Sequence, residues 1–312
     1  MEKTAPATSY DDQVFSFAEI LESSHEAATK QPDPLQIVAS DGVKLSVYAY
    51  EPTSPAQTTL VLYHGGGAYS GGGYQYIAKG LSEKYGIAVY LPDLRGHGTS
   101  GGTRGDAPSE EQVWRDVDSV LEWINENHNY TKIYLGGHSS GGGLVLNYAT
   151  AFRTTTTQNP TIDGYVLISP ELGYKSETAR PDRKDFAKVN ILTFIANGIF
   201  GILGHSRAVK FNYPKELLQA NSGLVGFNTV NMANAITPQQ PANQMRALGA
   251  KPIGLWIGSD DELFDAEKVA AFVPKEKNVY NTGVVLAEKN HLGILVGVHE
   301  QIGSWIQGQD QQ

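Results

Sequence analysis

The Gly-x-Ser-x-Gly sequence at residues 137–141 limits the fold of this 312-residue chain more than any other feature. It directly follows residues 132–136, a short β-branched and aromatic run that predicts a buried strand. A serine on a tight turn from strand to helix must adopt a strained backbone, so its neighbours have to be glycine or small residues. The pattern therefore predicts a strand, a sharp turn that presents the Ser139 hydroxyl, and a helix.

Short apolar runs recur along the chain and later alternate with helix-length segments. The first two runs flank the Asp41-Gly42 turn and predict an antiparallel hairpin. Continuous apolar strands separated by amphipathic helices are typical of a mostly parallel sheet with helices on both faces. We therefore predict an α/β fold whose ligands lie at the carboxyl ends of the strands. The predicted strands are 35–38, 44–50, 59–63, 88–91, 132–135, 165–169, 253–257 and 279–286, and the helices include 110–125 and 142–151.

Three parts of the chain differ in pattern. Residues 1–34 predict an N-terminal helical arm, because helical spacing over 11–30 ends before Pro32 and Pro34. Residues 35–170 and 251–312 carry the strand and helix alternation and predict the core. Residues 171–250 interrupt that alternation, so we expect them to form a helical cap inserted over the site.

The amino-acid composition limits which binding partners and which catalytic groups are possible. The chain has 24 basic and 33 acidic residues, a net charge of −9, and no basic cluster, which argues against a nucleic-acid partner. The absence of cysteine excludes disulfides, thiolate metal sites and a cysteine nucleophile. The first residues lack an apolar stretch, so the cytoplasm is the expected compartment, with export after removal of a signal as the alternative. The number of subunits is not specified by these features.

Ser139 is the candidate nucleophile for acyl transfer. A serine hydroxyl is a poor nucleophile near neutral pH, so it needs an adjacent base, and the base needs a carboxylate to orient it. His291 follows the last predicted strand on a loop that opens a helix, which makes it the best-placed base of the eight histidines.

The acid comes from one of several carboxylates that follow predicted strands. Asp261 lies three residues past Gly258, beyond a turn that would bring its side chain to the histidine, and is favoured. Asp260 is the nearest alternative, and Glu171 could supply an acid from the preceding strand end. The resulting order of serine, acid and histidine is the one used by a known α/β fold.

The glycine-rich segment 64–67 is expected to stabilise a negatively charged intermediate. A tetrahedral intermediate needs two backbone N–H donors aimed at its oxygen. Ser140, at the start of the helix, and Gly66 are the predicted donors, with Gly67 as the alternative to Gly66. His64 and Gly67 are also expected to contact substrate. The segment matches neither a P-loop nor a dinucleotide-binding pattern, so no cofactor is expected. No metal is expected either, because acyl transfer through a serine and a histidine needs none.

These motifs together resemble the α/β-hydrolases of the monoacylglycerol lipase and lysophospholipase group, also called serine aminopeptidase-like. The resemblance covers about residues 35–308. It implies an α/β-hydrolase fold with an inserted cap, and it supports Asp261 because the family acid occupies the fourth position of the turn that starts at Gly258. The motifs are His-Gly-Gly-Gly at 64–67, Pro-Asp-Leu-Arg-Gly-His-Gly-Thr-Ser at 92–100, Gly-His-Ser-Ser-Gly at 137–141, Gly-Ser-Asp-Asp at 258–261, and His291.

The resemblance implies a serine ester hydrolase, of the carboxylesterase or monoacylglycerol lipase type, that acts on a small ester or lipid-like molecule. Acyl transfer to another acceptor and aminopeptidase activity would use the same triad and are the alternatives. The chain departs from the family in two places: Ser140 stands where relatives often have a bulky residue, and the glycine loop is longer. The cap is the most divergent part of the group, so the substrate does not carry over.

Residues 189–204 form an uncharged stretch that is too short for a membrane-spanning helix. One interpretation is a cap helix buried against its neighbours. The other is that Phe194, Ile195 and Ile199 line an acyl-chain pocket and make transient contact with a lipid interface.

Overall fold

The computed structural model of the protein describes residues 31–152, 161–220 and 222–309. The helix predicted over 11–30 lies outside these residues. The description below therefore begins with the first predicted hairpin.

The described residues contain a sheet of eight strands in the order β1-β2-β4-β3-β5-β6-β10-β11. β1 and β2 form the predicted antiparallel hairpin, β2 is antiparallel to β4, and the remaining neighbours are parallel. The prediction of a mostly parallel central sheet is confirmed. The strands are β1 Leu35–Val38, β2 Lys44–Tyr50, β3 Thr58–Tyr63, β4 Ala88–Pro92, β5 Lys132–His138, β6 Gly164–Ile168, β10 Ile253–Gly258 and β11 Thr282–Leu286.

Helices cover both faces of this sheet, as predicted. Alternate residues of β3 show why: Leu60 and Leu62 pack into the apolar cluster on one face, and Val61 and Tyr63 into the cluster on the other. A strand buried on both faces needs a continuous apolar run, and every residue of β3 is buried. The helices are α1 Tyr74–Tyr85, α2 Glu110–Asn127, α3 Ser140–Asn147, α4 Ile191–Phe200, α5 Lys215–Ala220, α6 Val230–Ile236, α7 Pro241–Leu248, α8 Ala266–Ala270 and α9 Val298–Gly308.

The insertion between β6 and β10 (residues 171–250) is not purely helical. Besides α4 to α7, its described residues contain a three-stranded antiparallel sheet of β7 Ala187–Val189, β8 Arg207–Phe211 and β9 Phe227–Thr229. The expectation of a helical cap missed this sheet, because strands of three to five residues are too short to show a period of two.

Helix α4 lies on the surface of the insertion. It packs on β8 and α6, and none of its residues, all of which are described, is buried. Leu192 is 76% exposed and Phe200 is 67% exposed. The interpretation of this stretch as a buried helix is therefore wrong. An apolar sequence without a polar face carries no periodic signal that would show which side meets solvent.

Arg104 joins the insertion to the body of the protein. One guanidinium nitrogen, Nη2, donates to the carbonyls of Ser222, Gly223 and Leu224 at 2.8, 3.1 and 3.0 Å. The other, Nη1, donates to the Gly98 carbonyl at 3.0 Å. One side chain thus fixes three consecutive peptides of the insertion against a loop of the core.

Two backbone hydrogen bonds also join the insertion to the core. The Val225 N–H donates to the Gly67 carbonyl at 2.9 Å, and the Thr229 N–H donates to the Gly105 carbonyl at 2.9 Å. The insertion therefore reaches the segment of glycines that follows β3.

Candidate active site

Ser139 lies between β5 and α3 and has a backbone conformation that residues other than glycine rarely adopt. Its φ is 53° and its ψ is −122°, and its side chain is almost fully buried. The Ser139 N–H donates to the Ile168 carbonyl at 3.0 Å, and the Ser139 carbonyl accepts from the N–H groups of Gly142 at 3.0 Å and Glu171 at 2.9 Å. These bonds to β6 and α3 hold the strained turn in place.

The glycines around Ser139 allow the turn to pack closely. A Cβ on Gly141 would lie 2.4 Å from the Tyr63 carbonyl oxygen, and a Cβ on Gly137 would lie 2.1 Å from the Gly141 carbonyl carbon. Both distances are shorter than any real contact, so the backbone could not keep this path with a larger residue at either position. This is the requirement for small neighbours that the sequence predicted.

His291 is hydrogen-bonded to Asp261. The distance from His291 Nδ1 to Asp261 Oδ2 is 2.8 Å, and both side chains are buried. The other oxygen, Asp261 Oδ1, accepts from the N–H groups of Leu263 and Phe264 at 2.9 Å each. A carboxylate accepts only, so His291 carries its proton on Nδ1, which leaves Nε2 as the basic nitrogen.

The two neighbouring carboxylates are engaged elsewhere. Asp260 is exposed and accepts from the Ser259 hydroxyl at 3.0 Å. Glu171 Oε1 accepts from the Gly173 N–H at 2.7 Å. Among the three acids that the sequence offered, the structure brings Asp261 to His291.

Electrostatics favour a charged Asp261 and a His291 that takes up a proton readily. Burial by itself raises the pKa of Asp261, but the nearby imidazole and the two backbone N–H donors outweigh burial, so the pKa is lowered overall. Burial by itself lowers the pKa of His291, but the charge and hydrogen bond of Asp261 outweigh it, so the pKa is raised overall. The pair therefore suits a general base.

The glycine loop (residues 64–67) lies against the turn that carries Ser139. A Cβ on Gly65 would lie 3.1 Å from Ser139 Cβ, and a Cβ on Gly66 would lie 3.0 Å from Ser140 Oγ. The backbone of the loop is thus in close contact with both serines. Gly67 has a φ of 70°, which favours glycine, and a Cβ there would lie 2.6 Å from the Val225 carbonyl oxygen.

His64 does not face a substrate. It is 1% exposed, and both ring nitrogens meet backbone groups, Nδ1 the Gly65 carbonyl at 2.9 Å and Nε2 the Leu94 N–H at 3.1 Å. Since no ring nitrogen is left for a ligand, the expectation that His64 contacts substrate is corrected to a structural role.

Two tyrosines that no sequence motif indicated form hydrogen bonds to the glycine loop. Tyr74 Oη accepts from the Gly65 N–H at 2.8 Å and lies 2.9 Å from His138 Nδ1. Tyr213 Oη, from the insertion, donates to the Gly66 carbonyl at 3.3 Å. Neither tyrosine stands in a recognisable motif, because each is brought to the loop by tertiary packing.

The apolar residues expected to bind an acyl chain lie on α4. Ile195 is 54% exposed and Phe194 is half-buried. Ile195 therefore faces solvent and does not line an enclosed pocket. Exposed apolar side chains on α4 are instead relevant to the other part of the expectation, which is transient contact with a lipid interface.

Neither a metal cluster nor a membrane span appears within residues 31–152, 161–220 and 222–309. This part of the chain has no group of three or more histidine, aspartate or glutamate side chains that could hold a metal ion. In the same ranges, no helix combines the length and the apolar character that crossing a membrane requires.

The fold and the site together define a class of protein. A mostly parallel sheet with a strained serine between a central strand and a helix is the architecture of the α/β-hydrolases. Residues 54–291 match the family described as "Serine aminopeptidase, S33", and the chain belongs to this family of serine hydrolases.

Curated relatives include several lipases. The chain is similar to monoglyceride lipase from Homo sapiens, with 25% identity over 301 residues that cover 91% of this chain and 95% of that protein. Monoglyceride lipase from Mus musculus is 28% identical over 260 residues, 79% of this chain and 80% of the relative. A shorter match, 34% identical over 112 residues, covers 36% of this chain and only 11% of an uncharacterized abhydrolase domain-containing protein from Dictyostelium discoideum.

Solved structures share the fold over most of the chain. A soluble variant of monoglyceride lipase from Saccharomyces cerevisiae, in complex with a substrate analog, has a TM-score of 0.66 at 18% identity and covers 89% of this chain and 96% of that one. Est1E from Butyrivibrio proteoclasticus, with ferulic acid bound, has a TM-score of 0.62 at 19% identity and covers 89% of this chain and 100% of that one.

Proposed function

We propose that the protein is a serine ester hydrolase that works through an acyl-enzyme, with Ser139, His291 and Asp261 as its triad. The observation that carries the proposal is the buried Asp261–His291 hydrogen bond at the same sheet edge as the strained Ser139. The Ser139 hydroxyl attacks the ester carbonyl carbon while His291 Nε2 accepts its proton. The alcohol leaves with that proton, and a water molecule then repeats the transfer, which releases the acid and restores the serine.

The negative oxygen of each tetrahedral intermediate would accept hydrogen bonds from the backbone N–H groups of Ser140 and Gly66. Ser140 begins α3, whose dipole favours an anion at this end. Gly66 is supported by its contact with Ser140 across the glycine loop. Two such donors stabilise the transition state more than the ground state, because the charge develops only as the bond forms.

The substrate is proposed to be a small or lipid-like ester. The relatives named monoglyceride lipase match most of the chain, and they favour an ester over a peptide. The insertion would act as a cap over the site, since it supplies Tyr213 and Val225 to the glycine loop. Its helix α4 would touch lipid interfaces transiently through its exposed apolar side chains.

The test of this proposal is Ser139→Ala, measured on p-nitrophenyl esters of increasing acyl length. We expect turnover to fall by about four orders of magnitude or more, since the nucleophile is lost. A fluorophosphonate probe should label the wild-type protein and leave the variant unlabelled. Ser304→Ala, which removes an exposed hydroxyl on α9, is the matched control and should behave like the wild type.

Retention of hydrolysis or of labelling in Ser139→Ala would reject the assignment. Product analysis with and without an added alcohol separates hydrolysis from acyl transfer, because a transferase would form the new ester. Cleavage of an amino-acid p-nitroanilide in preference to the esters would favour the aminopeptidase alternative.

A further inference from the structure

Two consecutive carboxylates contact His291 at two different atoms. Asp261 Oδ2 accepts from the ring Nδ1–H at 2.8 Å, and Glu262 Oε2 accepts from the backbone N–H at 2.9 Å. The proposed triad uses the first contact and gives no role to the second. Glu262 is half-buried and belongs to the same turn as Asp261.

The His291 N–H lies where the hydrogen bonds of the sheet have ended. His291 stands on the loop between β11 and the short helix Gly293–Leu295, and it is 2% exposed. A buried peptide N–H outside regular structure needs an acceptor, and Glu262 supplies it. Because the acceptor is a carboxylate, the bond is stronger than one to a neutral oxygen. It therefore limits movement of the backbone at the residue that carries the proposed base.

The backbone of Glu262 is itself held by the first part of the insertion. The Lys184 N–H donates to the Glu262 carbonyl at 3.1 Å, and the Arg180 N–H donates to the Leu263 carbonyl at 3.0 Å. The Glu262 side chain thus extends from a backbone that hydrogen bonds fix in place. A contact made by such a side chain can define the position of the group that it binds.

The contacts on His291 restrict different movements. A ring held only at Nδ1 can still pivot about that bond, which would redirect Nε2. When the backbone N–H is also held by the same turn, the Cα and the ring are both fixed relative to Asp261. His138 Nε2 lies 2.9 Å from the His291 carbonyl oxygen, so loss of the Glu262 contact leaves one backbone contact in place.

We propose that Glu262 is a positioning residue, whose side-chain hydrogen bond to the His291 N–H fixes the direction in which the imidazole presents Nε2. The inference rests on the proposed ester hydrolysis and extends it to a carboxylate outside the triad. The contact acts through its geometry, so an uncharged acceptor of the same length should replace the carboxylate.

Three substitutions separate the hydrogen bond from the charge. Glu262→Gln keeps an oxygen acceptor at the same length and loses the charge. Glu262→Asp keeps the charge and draws the acceptor back by one methylene group. Glu262→Leu removes both while keeping a similar volume.

Asp163→Leu is the matched control for the loss of a backbone acceptor. Asp163 is also half-buried, and its Oδ2 accepts from the Ile133 N–H at 2.8 Å. Ile133 lies near the start of β5, whereas Ser139 follows the end of that strand. A loss that comes only from an unsatisfied amide should therefore appear in this variant as well, and urea unfolding should show similar destabilisation of Asp163→Leu and Glu262→Leu.

Catalysis on the pH-independent plateau should distinguish the variants. We expect kcat of Glu262→Leu and Glu262→Asp to fall about 10-fold with KM changed less than about threefold, because a misplacement of about 1 Å can cost roughly 100-fold. Glu262→Gln and Asp163→Leu should keep kcat within about threefold of the wild type, since the position of the ring is unchanged. In proton NMR, the Nδ1–H resonance of His291 should shift more in Glu262→Leu and Glu262→Asp than in Glu262→Gln.

Equal kcat values for Glu262→Gln and Glu262→Asp would overturn the role of the hydrogen bond, and this comparison holds even if Glu262→Leu does not fold. A change in KM alone, or a loss of kcat in Asp163→Leu as large as in Glu262→Leu, would overturn it too. If the wild type hydrolyses esters and Ser139→Ala does not, the proposed function stands whatever the result for Glu262. A wild-type protein without turnover would overturn the proposed function, and the role of Glu262 with it.

Discussion

At the scale of single residues, the site depends on which of two adjacent carboxylates turns inward. Asp261 is buried and receives hydrogen bonds from His291 and from two backbone N–H groups, whereas Asp260 faces solvent one residue earlier. The donors make the difference: burial alone would raise the pKa of Asp261, but its three hydrogen-bond donors keep it charged, and it holds the imidazole in one tautomer. The exposed Asp260 side chain instead accepts from the Ser259 hydroxyl.

Asp261→Asn and Asp260→Asn therefore form a matched pair. Asp261→Asn should reduce kcat by about 10³- to 10⁴-fold, because an amide no longer stabilises the imidazolium or selects its tautomer. Asp260→Asn should leave kcat within about threefold of the wild type, since exposed charges contribute little. Steady-state hydrolysis of one soluble ester measures both, and similar losses in the two variants would contradict the assignment of the acid.

The pH dependence supplies a second readout for the same pair. In the proposed mechanism His291 must be neutral to accept a proton, so activity should fall as the pH drops through its pKa. That pKa is raised above its ordinary value of 6.5, so the acidic limb of kcat/KM should lie above this pH. In Asp261→Asn the raising carboxylate is gone while burial remains, and the limb should move to lower pH. A limb that moves upward would be inconsistent with this account.

The sequence placed Ser139, Asp261 and His291 at strand ends because their order and spacing follow the turns of the sheet. It could not show that both nitrogens of His64 are occupied, since this depends on Leu94, which lies thirty residues away along the chain. The hydrogen bonds of Tyr74 and Tyr213 to the glycine loop could not be predicted for the same reason. Contacts of this kind arise from packing between elements and leave no local pattern.

At the scale of elements, the strands were predictable and α4 was not. β3, β5, β6 and β10 are buried on both faces, so each had to be a continuous apolar run between turns. The last strand begins at Thr282, later than predicted, and Val279 is 88% exposed. Helix α4 has an equally apolar sequence but lies on the surface, because apolar composition alone does not specify what covers it.

The exposed face of α4 gives a prediction about lipid contact. The double variant Leu192→Ser and Phe200→Ser should bind phosphatidylcholine vesicles at least about tenfold more weakly, since burying each such side chain is worth about 1.5–3 kcal/mol. Co-sedimentation with vesicles measures the change. Val279→Ser removes an apolar side chain that is also exposed but lies outside the insertion, and it should bind like the wild type. Unchanged binding of the double variant would exclude α4 as the contact surface.

At the scale of the whole molecule, the insertion and the core share one hydrogen-bonded junction. Arg104 holds residues 222–224, and the N–H groups of Val225 and Thr229 donate to backbone carbonyls of the core. The Arg104 guanidinium donates to the carbonyl oxygens of several peptides instead of pairing with one carboxylate. The position of the insertion is therefore tied to the glycine loop beside Ser139.

Removal of this side chain should loosen the insertion. Arg104→Met leaves several carbonyls without their donor and should cost about 1–3 kcal/mol in the free energy of unfolding. Amide hydrogen exchange should accelerate at residues 222–229 and in the glycine loop. Arg115→Met removes an exposed ion pair on α2 and is the control. Faster exchange throughout the chain, without concentration in these segments, would indicate general destabilisation.

The hydrogen bonds from Tyr213 and Val225 to the glycine loop bear on how such an enzyme could change its substrate. An insertion that only shaped the entrance could be replaced by one from another protein without loss of reactivity. Here the same polypeptide that would select the ester also fixes the carbonyls of Gly66 and Gly67. A chimera with a foreign insertion would have to retain a donor at each of these two positions, so selectivity and reactivity are constrained to evolve together.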